Sequence, residues 1–283
     1  MVSLRRLSPE DIDEALKLSD AEKWNQTEED WSFLINSSDN ICLAAVEGGK
    51  VVGTATAIIY NNKVAWVGMV LVDKNFRGRG ISKDLLSALF EKLEHCNSVK
   101  LDATPEGRPV YEKFGFREEY KILRMIHPTG QLTDFPTKVM NPAPISDDDL
   151  QNIVAYDQIV FGANRKKLIE FLYRENHGNS WMMKAAEQIE GFVLGREGAL
   201  FYQVGPVSAT SNEIGKALIQ KSLMELKSKP VVIDVLEDKT ELISWLNDLG
   251  FIVQRPFYRM FQNENPYTGI VGNQYLICGP EFG

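Results

Sequence analysis

Cysteine and histidine are scarce in this chain of 283 residues, with three of each. Cys42, Cys96 and Cys278 are too few and too scattered for a disulfide framework or a thiolate metal site. They read as reduced, partly buried small hydrophobes. His95, His127 and His177 form no pair at i,i+4 spacing, so the zinc-enzyme signature is missing and no metal is expected. No apolar run approaches the ~18 residues of a membrane span. Met1-Val2-Ser3-Leu4-Arg5-Arg6 leads into a polar helix start rather than a signal-peptide core. A soluble cytoplasmic protein without a membrane partner is the expectation. Positive charge is also short: 31 Lys and Arg stand against 39 Asp and Glu, a net charge of −8. Nucleic acid, held by basic surfaces, is therefore not an expected partner. The balance suits a cationic ligand such as an amine, although most proteins of this charge are merely soluble.

What is present is material for two cores. The composition, 44% apolar and 25% charged, is that of a globular protein, and the length suggests two domains of roughly 130 residues each. Ser8 is a helix cap with Pro9 at the first helical position and Asp11 behind it, and Leu16 and Leu18 give that helix an apolar side. A second helix runs from about Thr27, its cap, to Ile35. Strand-like runs follow at 41–47, 51–60 and 64–72, joined by the turns Gly48-Gly49 and Asn61-Asn62, which read as an antiparallel meander. Leu85, Leu86, Leu89, Phe90 and Leu93 mark a one-sided helix over about 81–95. A strand at 99–103, a short helix at 109–114 ended by Gly115, and a strand at 116–126 complete the first half. Pro128, Gly130, Pro136, Pro142 and Pro144 make 127–145 read as a linker. Ser146-Asp147-Asp148-Asp149 then opens a new helix.

The chain also repeats itself. Gly115-Phe116 is followed nine residues after the Phe by Met125, and Gly250-Phe251 at the same interval by Met260. Before each lies a strand with one acid, Asp102 or Asp234, and before that an amphipathic helix, 85–93 or 218–226. Two copies of one fold are expected, 1–126 and 146–283.

The most informative stretch is Val72-Asp73-Lys74-Asn75-Phe76-Arg77-Gly78-Arg79-Gly80-Ile81-Ser82. Strand, glycine turn and helix start together form a pyrophosphate cradle. The N–H groups of the turn and first helical turn point outward, and the helix end adds about half a positive charge. Gly78 and Gly80 let the backbone approach an anion, and Arg77 and Arg79 add charge. By itself such a segment is equally a basic surface turn.

The segment resembles the acyl-CoA motif (Arg/Gln)-x-x-Gly-x-(Gly/Ala) of the GCN5-related N-acetyltransferase (GNAT) family, with Arg77, Gly80 and Ser82 at the defined positions. Ser82 replaces the usual Gly or Ala. Tyr111, four residues before Gly115-Phe116, is a further family feature. Trp24-Asn25-Gln26 with Trp31, the run 101–107, Phe161-Gly162-Ala163-Asn164-Arg165 and the closing Gly279-Pro280-Glu281-Phe282-Gly283 are similar to tandem-domain members. The resemblance implies an α/β (α+β) acetyltransferase domain twice over, each a mixed, mostly antiparallel sheet flanked by helices, with acetyl-CoA as donor.

It also implies roles. Val70, Leu71 and Val72 at the end of the central strand would line the pantetheine arm, and an N–H of Val70 or Leu71 would polarise the acyl carbonyl. Together with Arg77, Gly78, Arg79, Gly80, Ile81 and Ser82 they form the expected cofactor set. Tyr111 would donate a proton to the departing thiolate, or else be an aromatic packed beside Phe114. The strand 66–71 lacks the acid many members carry there. A water chain would then take the amine proton, or Asp102, which would bind or deprotonate the amine unless it only fixes the Thr104-Pro105 turn. Trp24, Asn25, Trp31 and Tyr60 would form the acceptor wall or the core. Glu28, Glu29 and Asp30 would attract a cation or form a solvated helix face. In the second half the matching stretch, Val207 to Gly215, has no arginine and carries Glu213, and Leu246 stands where Tyr111 would. That half is expected to be a degenerate copy that supports the first, helps close its acceptor site and binds CoA poorly. The expected activity is acetyl transfer to a primary amine of a small molecule by a monomer or homodimer. A non-catalytic acyl-CoA or amine sensor and a protein lysine or N-terminal acetyltransferase are the alternatives.

Overall fold

The computed structural model describes residues 1–61, 63–129, 140–176, 178–226 and 229–283. Asn62 of the second expected turn, His177, and 130–139 of the expected linker, with Gly130 and Pro136, lie outside the described residues.

The first half runs β1 (Ser3–Arg6), α1 (Ile12–Ala21), α2 (Glu28–Asn36), β2 (Ile41–Glu47), β3 (Lys50–Tyr60), β4 (Val64–Val72), α3 (Ile81–Lys92), β5 (Ser98–Ala103), α4 (Arg108–Lys113) and β6 (Arg117–His127). The second half runs β7 (Ala143–Pro144), α5 (Leu150–Phe161), α6 (Lys166–Glu175), β8 (Trp181–Ala185), β9 (Gln188–Arg196), β10 (Tyr202–Ala209), α7 (Asn212–Glu225), β11 (Val231–Leu236), α8 (Thr240–Asp248), β12 (Ile252–Asn263) and β13 (Gln274–Ile277). The meander falls where its turns place it, because β2, β3 and β4 pair antiparallel in sequence order. Ser8 does cap the first helix through Asp11, but a short 3-10 turn at Pro9–Asp11 intervenes, so α1 begins only at Ile12. The edge strand β1 carries no alternation in the sequence, and all four of its residues are exposed.

The two halves are not separate in space. Among the described residues the strands form one sheet in the order β1-β2-β3-β4-β5-β12-β6-β11-β13-β10-β9-β8-β7. The equivalent strands β6 and β12 of the two repeats have crossed over. β12 of the second half pairs with β5 of the first, Tyr258 opposite Ala103, and β6 of the first pairs with β11 of the second, Met125 opposite Ile233. β6 and β12 also pair with each other at the centre. The exchange buries edges that each copy would otherwise leave open.

Strand alternation sorts the first half's side chains onto two faces. Val67, Leu101, Ala103 and Met260 pack with Ile81, Leu85, Leu86 and Leu89 of α3. Trp66, Met69 and Leu71 pack on the opposite face with α1, α2 and, from the second half, Phe161, Cys278 and Phe282. All three cysteines are buried.

Candidate functional site

β4 and β5 run parallel from Val64 opposite Ser98 to Val67 opposite Leu101, and then their pairing stops although both strands continue. A bulge drives them apart. Thr54 of β3 pairs with Leu71 and Thr56 with Gly68, so one residue of β3 faces two of β4. Met69 there takes a φ of +50°, uncommon for a residue with a side chain. The Thr54 and Thr56 hydroxyls donate to the carbonyls of Met69 (2.8 Å) and Gly68 (3.1 Å) and fix the distorted backbone.

A cleft of about 530 Å³ fills the opening and passes through the sheet. On the α3 face it is lined by Phe76, Ile81, Ser82, Leu86 and Tyr111, and on the other by Trp24, Gln26, Asp102, Arg124, Arg255 and Pro280. Val70, Leu71 and Val72 edge the gap, with Arg77, Gly78 and Gly80 at its α3 mouth. Gly78 and Gly80 have φ of +75° and +81°, the left-handed region that glycine adopts without strain. Gly80 is the N-cap of α3 and offers no side chain, so the first N–H groups of that helix have no capping partner. These features fit an anionic pyrophosphate. Arg77 donates to the Val72 carbonyl (3.2 Å) and to Glu22 (2.5 Å). Arg79 does not line the cleft: it is paired bidentately with Glu47 (2.7 and 2.9 Å) and lies over the Phe76 ring.

Tyr111 sits on α4 at the wall of the cleft, edge-on to Phe116 with ring centroids 5.9 Å apart. Burial pushes its phenol well above the usual value, so the hydroxyl keeps its proton at neutral pH. Asp102 faces the opposite side, where Arg259 donates to both its oxygens at 2.8 Å. Burial raises the Asp102 carboxyl and Arg259 pulls against that rise.

The residues expected at the acceptor wall divide. Trp24 lines the cleft. Asn25 is one step away: it accepts from the N–H groups of Leu200 and Phe201 (2.9 Å each) and ties the α1–α2 loop to the second half. Trp31 and Tyr60 do not reach the cleft. Trp31 is fully buried with its indole N–H on Ser19 (3.3 Å), and Tyr60 donates to the Phe282 carbonyl (2.8 Å). Of the acidic run, Glu28 and Glu29 are exposed, whereas Asp30 turns inward onto Arg196 (2.6 Å), which also binds Glu281. Burial chiefly takes the Asp30 carboxyl up to about 7, with Arg196 pulling it down and Glu281 adding to the rise.

Arg124, Arg255, Phe257, Pro280 and Glu281 also line the cleft. Sequence reasoning missed them because they arrive by strand exchange and from the C-terminal segment. The one available signal was the closing Gly-Pro-Glu-Phe-Gly motif. That segment is pinned by Trp66 donating to the Pro280 carbonyl (2.9 Å) and Arg165 to the Gly283 carbonyl (2.6 Å). Gly68 is bare so that it can pass, since a Cβ there would stand 3.0 Å from the Glu281 Cα.

Two family models match, one described as the acetyltransferase (GNAT) family over residues 8–116 and one as an acetyltransferase (GNAT) domain over 153–276. Together they take in most of the chain. It is a tandem GNAT acetyltransferase. Similar sequences include a holothin acyltransferase from Pseudoalteromonas sp. (strain SANK 73390), 24% identical over 87% of this chain and 83% of the relative. The uncharacterised N-acetyltransferase YitH of Bacillus subtilis (strain 168) is 23% identical over 77% and 76%. Among solved structures, a Pyrococcus horikoshii protein provisionally assigned as an acetyltransferase superposes with a TM-score of 0.82, at 23% identity, over 100% of this chain and 96% of its own. A tandem GNAT protein from the clavulanic acid pathway gives 0.65 at 13% identity, over 94% and 99%. Among the described residues, no helix is long and apolar enough to cross a membrane, and no three His, Cys, Asp or Glu side chains gather as a metal site.

The second GNAT copy has the same opening, but it is filled. β10 and β11 run parallel from Tyr202 opposite Val231 to Val204 opposite Ile233 and then separate. β13 enters the gap and pairs with both, Leu276 lying opposite Val207 on one side and Val235 on the other. The helix start beside it is capped internally: Ser211 accepts from the Ile214 N–H (3.3 Å), with Glu213 in the first turn. Leu246, the counterpart of Tyr111, is fully buried.

Proposed function

We propose that the first GNAT copy transfers an acetyl group from acetyl-CoA to the primary amine of a small molecule, while the second copy closes the site without binding CoA. The observation that carries this reading is the contrast just described: of two equivalent openings, one is an open cleft with an uncapped helix start at its mouth and the other is occupied by β13.

Acetyl-CoA supplies an activated acetyl thioester. Gly78, Gly80 and the first N–H groups of α3 hold its pyrophosphate, helped by Arg77 and Ser82. The unpaired run 70–72 lines the pantetheine arm, and an N–H of Val70 or Leu71 polarises the carbonyl. The amine approaches from the opposite face, past Trp24 and Asp102. As the C–N bond forms and the C–S bond breaks, the Tyr111 hydroxyl donates to the sulfur and is reprotonated from solvent. Asp102, held in place by Arg259 on both oxygens, offers the amine a fixed hydrogen-bond acceptor, and the amine proton leaves through water in the cleft. Trp24, Gln26 and the C-terminal segment narrow the acceptor mouth, which favours a small molecule over a protein segment.

Thiol release from acetyl-CoA over a panel of primary amines tests this. Turnover that Tyr111→Phe reduces in kcat, and that Gly80→Glu removes together with acetyl-CoA binding, is expected. Tight acetyl-CoA binding without thiol release for any amine would overturn it.

A further inference from the structure

On β12, Tyr258 and Met260 belong to the α3 side of the sheet, so Phe257 and Arg259 belong to the acceptor side, where Arg259 stacks on Trp66 at 4.5 Å. Arg255, two residues before Phe257, lies on that same side and lines the cleft. The ladder slips between Val253 and Arg255, and Arg255 then pairs with Arg124 of β6. The exchange of strands therefore brings two arginines side by side at the acceptor mouth. Their guanidinium carbons stand 5.0 and 5.1 Å from the centre of the Phe257 ring.

Only one of these two cations is matched. Arg124 donates through Nε and Nη2 to Asp234 at 2.8 Å, and Gln203 donates to the same carboxylate. Arg259, Arg165 and Arg196 likewise hold carboxylates. Arg255 is half-buried, and its Nε is buried without a hydrogen-bond partner. Among the described residues it forms no ion pair. Burial and the neighbouring Arg124 work against its charge, while Asp234 and Glu106 act on it through space. A partly buried guanidinium with an unpaired Nε costs stability unless an anion meets it. Its planar fork matches a carboxylate or phosphate held by two hydrogen bonds.

We propose that the acceptor amine of this enzyme carries an anionic group, a carboxylate or a phosphate, and that Arg255 receives it. Arg255 is then the specificity residue. It holds the far end of the acceptor while the amine reaches the gap between Val70 and Tyr111, and the Phe257 ring supports its guanidinium. The inference rests on the first copy being the acetyltransferase.

The test uses matched probes on the full chain: β-alanine against propylamine, and O-phosphoethanolamine against ethanolamine. The anionic member of a pair is expected to have the higher kcat/KM by at least about tenfold. Arg255→Gln should collapse that ratio towards one, with Arg255→Lys intermediate because it keeps the charge but loses the fork. The carboxylate and phosphate pairs report which anion is taken. Thermal protection by the anionic probe in the absence of acetyl-CoA, lost in Arg255→Gln, is expected whether or not any amine turns over. Failure of turnover alone therefore counts against the acetyltransferase reading and not against this one. Neutral amines turned over as well as their anionic partners would overturn the proposal, as would an anionic preference that survives Arg255→Gln. A raised KM for acetyl-CoA in Arg255→Gln with an unchanged amine ratio would place the cation with the donor's phosphates and also overturn it.

Discussion

In both GNAT copies a parallel strand pair opens after three or four matched residues, and in both a helix begins beside the opening. The copies differ in what satisfies it. A split sheet exposes unpaired N–H and C=O groups that need partners. In the second copy the chain supplies them itself, through β13 in the gap and Ser211 on the helix start. In the first copy no strand of the described residues enters, and Gly80 leaves the helix start bare. One opening has been filled internally, whereas the other stays open as a cleft, which on the proposed reading a ligand completes. The strand that closes the second opening then runs on through Pro280 and Glu281 to form a wall of the first. On the proposed reading, closing one site and building the acceptor wall of the other thus use the same few residues.

The largest expected effect that would break this comparison comes from Gly80→Glu. It combines a strained φ with a negative charge at the pyrophosphate cradle, and kcat/KM for acetyl-CoA should fall at least about a hundredfold. Glu213→Lys at the equivalent helix start should create no second binding site, because β13 still fills the gap. A second equivalent of bound acetyl-CoA by calorimetry would contradict that. Next comes Gly68→Val, which drives a side chain into the backbone of Glu281. It should cost about 1–3 kcal/mol of stability and raise KM for the amine more than for acetyl-CoA. Equal changes in both would remove the C-terminal segment from the acceptor wall. Ser211→Ala should cost about 1 kcal/mol in denaturant unfolding with acetyl-CoA kinetics unaltered. A change in those kinetics would mean that the second helix start takes part after all.

The smallest effect concerns pH. Asp30 holds its proton up to about 7 when folded, against an ordinary value of 3.8. The folded state therefore binds that proton more tightly, and the contribution is present below 3.8, is lost as pH rises through about 7, and is level above. Asp30→Asn should flatten that part of the profile. Glu281→Gln should flatten it partly, since Glu281 helps keep the Asp30 carboxyl high. Melting profiles that neither substitution alters would show that the Asp30–Arg196–Glu281 cluster is not linked to stability in this way.

Much of this molecule was legible because its signals are local. The turns of the meander, the leucines of α3 and the strand–glycine–helix sequence at 72–82 lie within a few residues of one another, and so does the spacing of Tyr111 from Gly115-Phe116. Trp31 and Tyr60 show the limit. An aromatic side chain suits a ligand wall and a core equally, and only packing sends these two into the core against Ser19 and Phe282. Asp102 is similar, since nothing near it in sequence announces Arg259, 157 residues away.

The sequence by itself determined that one fold is written twice and that only the first copy starts its helix on a bare glycine, because a glycine's φ and a helix cap are properties of short segments. The tertiary structure decided that β6 and β12 change places, that β13 fills the second opening, and that Arg124, Arg255 and Glu281 meet at the first. Those outcomes depend on which exposed edges find each other across the chain. Backbone hydrogen bonding drives that choice, and it leaves almost no mark on local residue patterns.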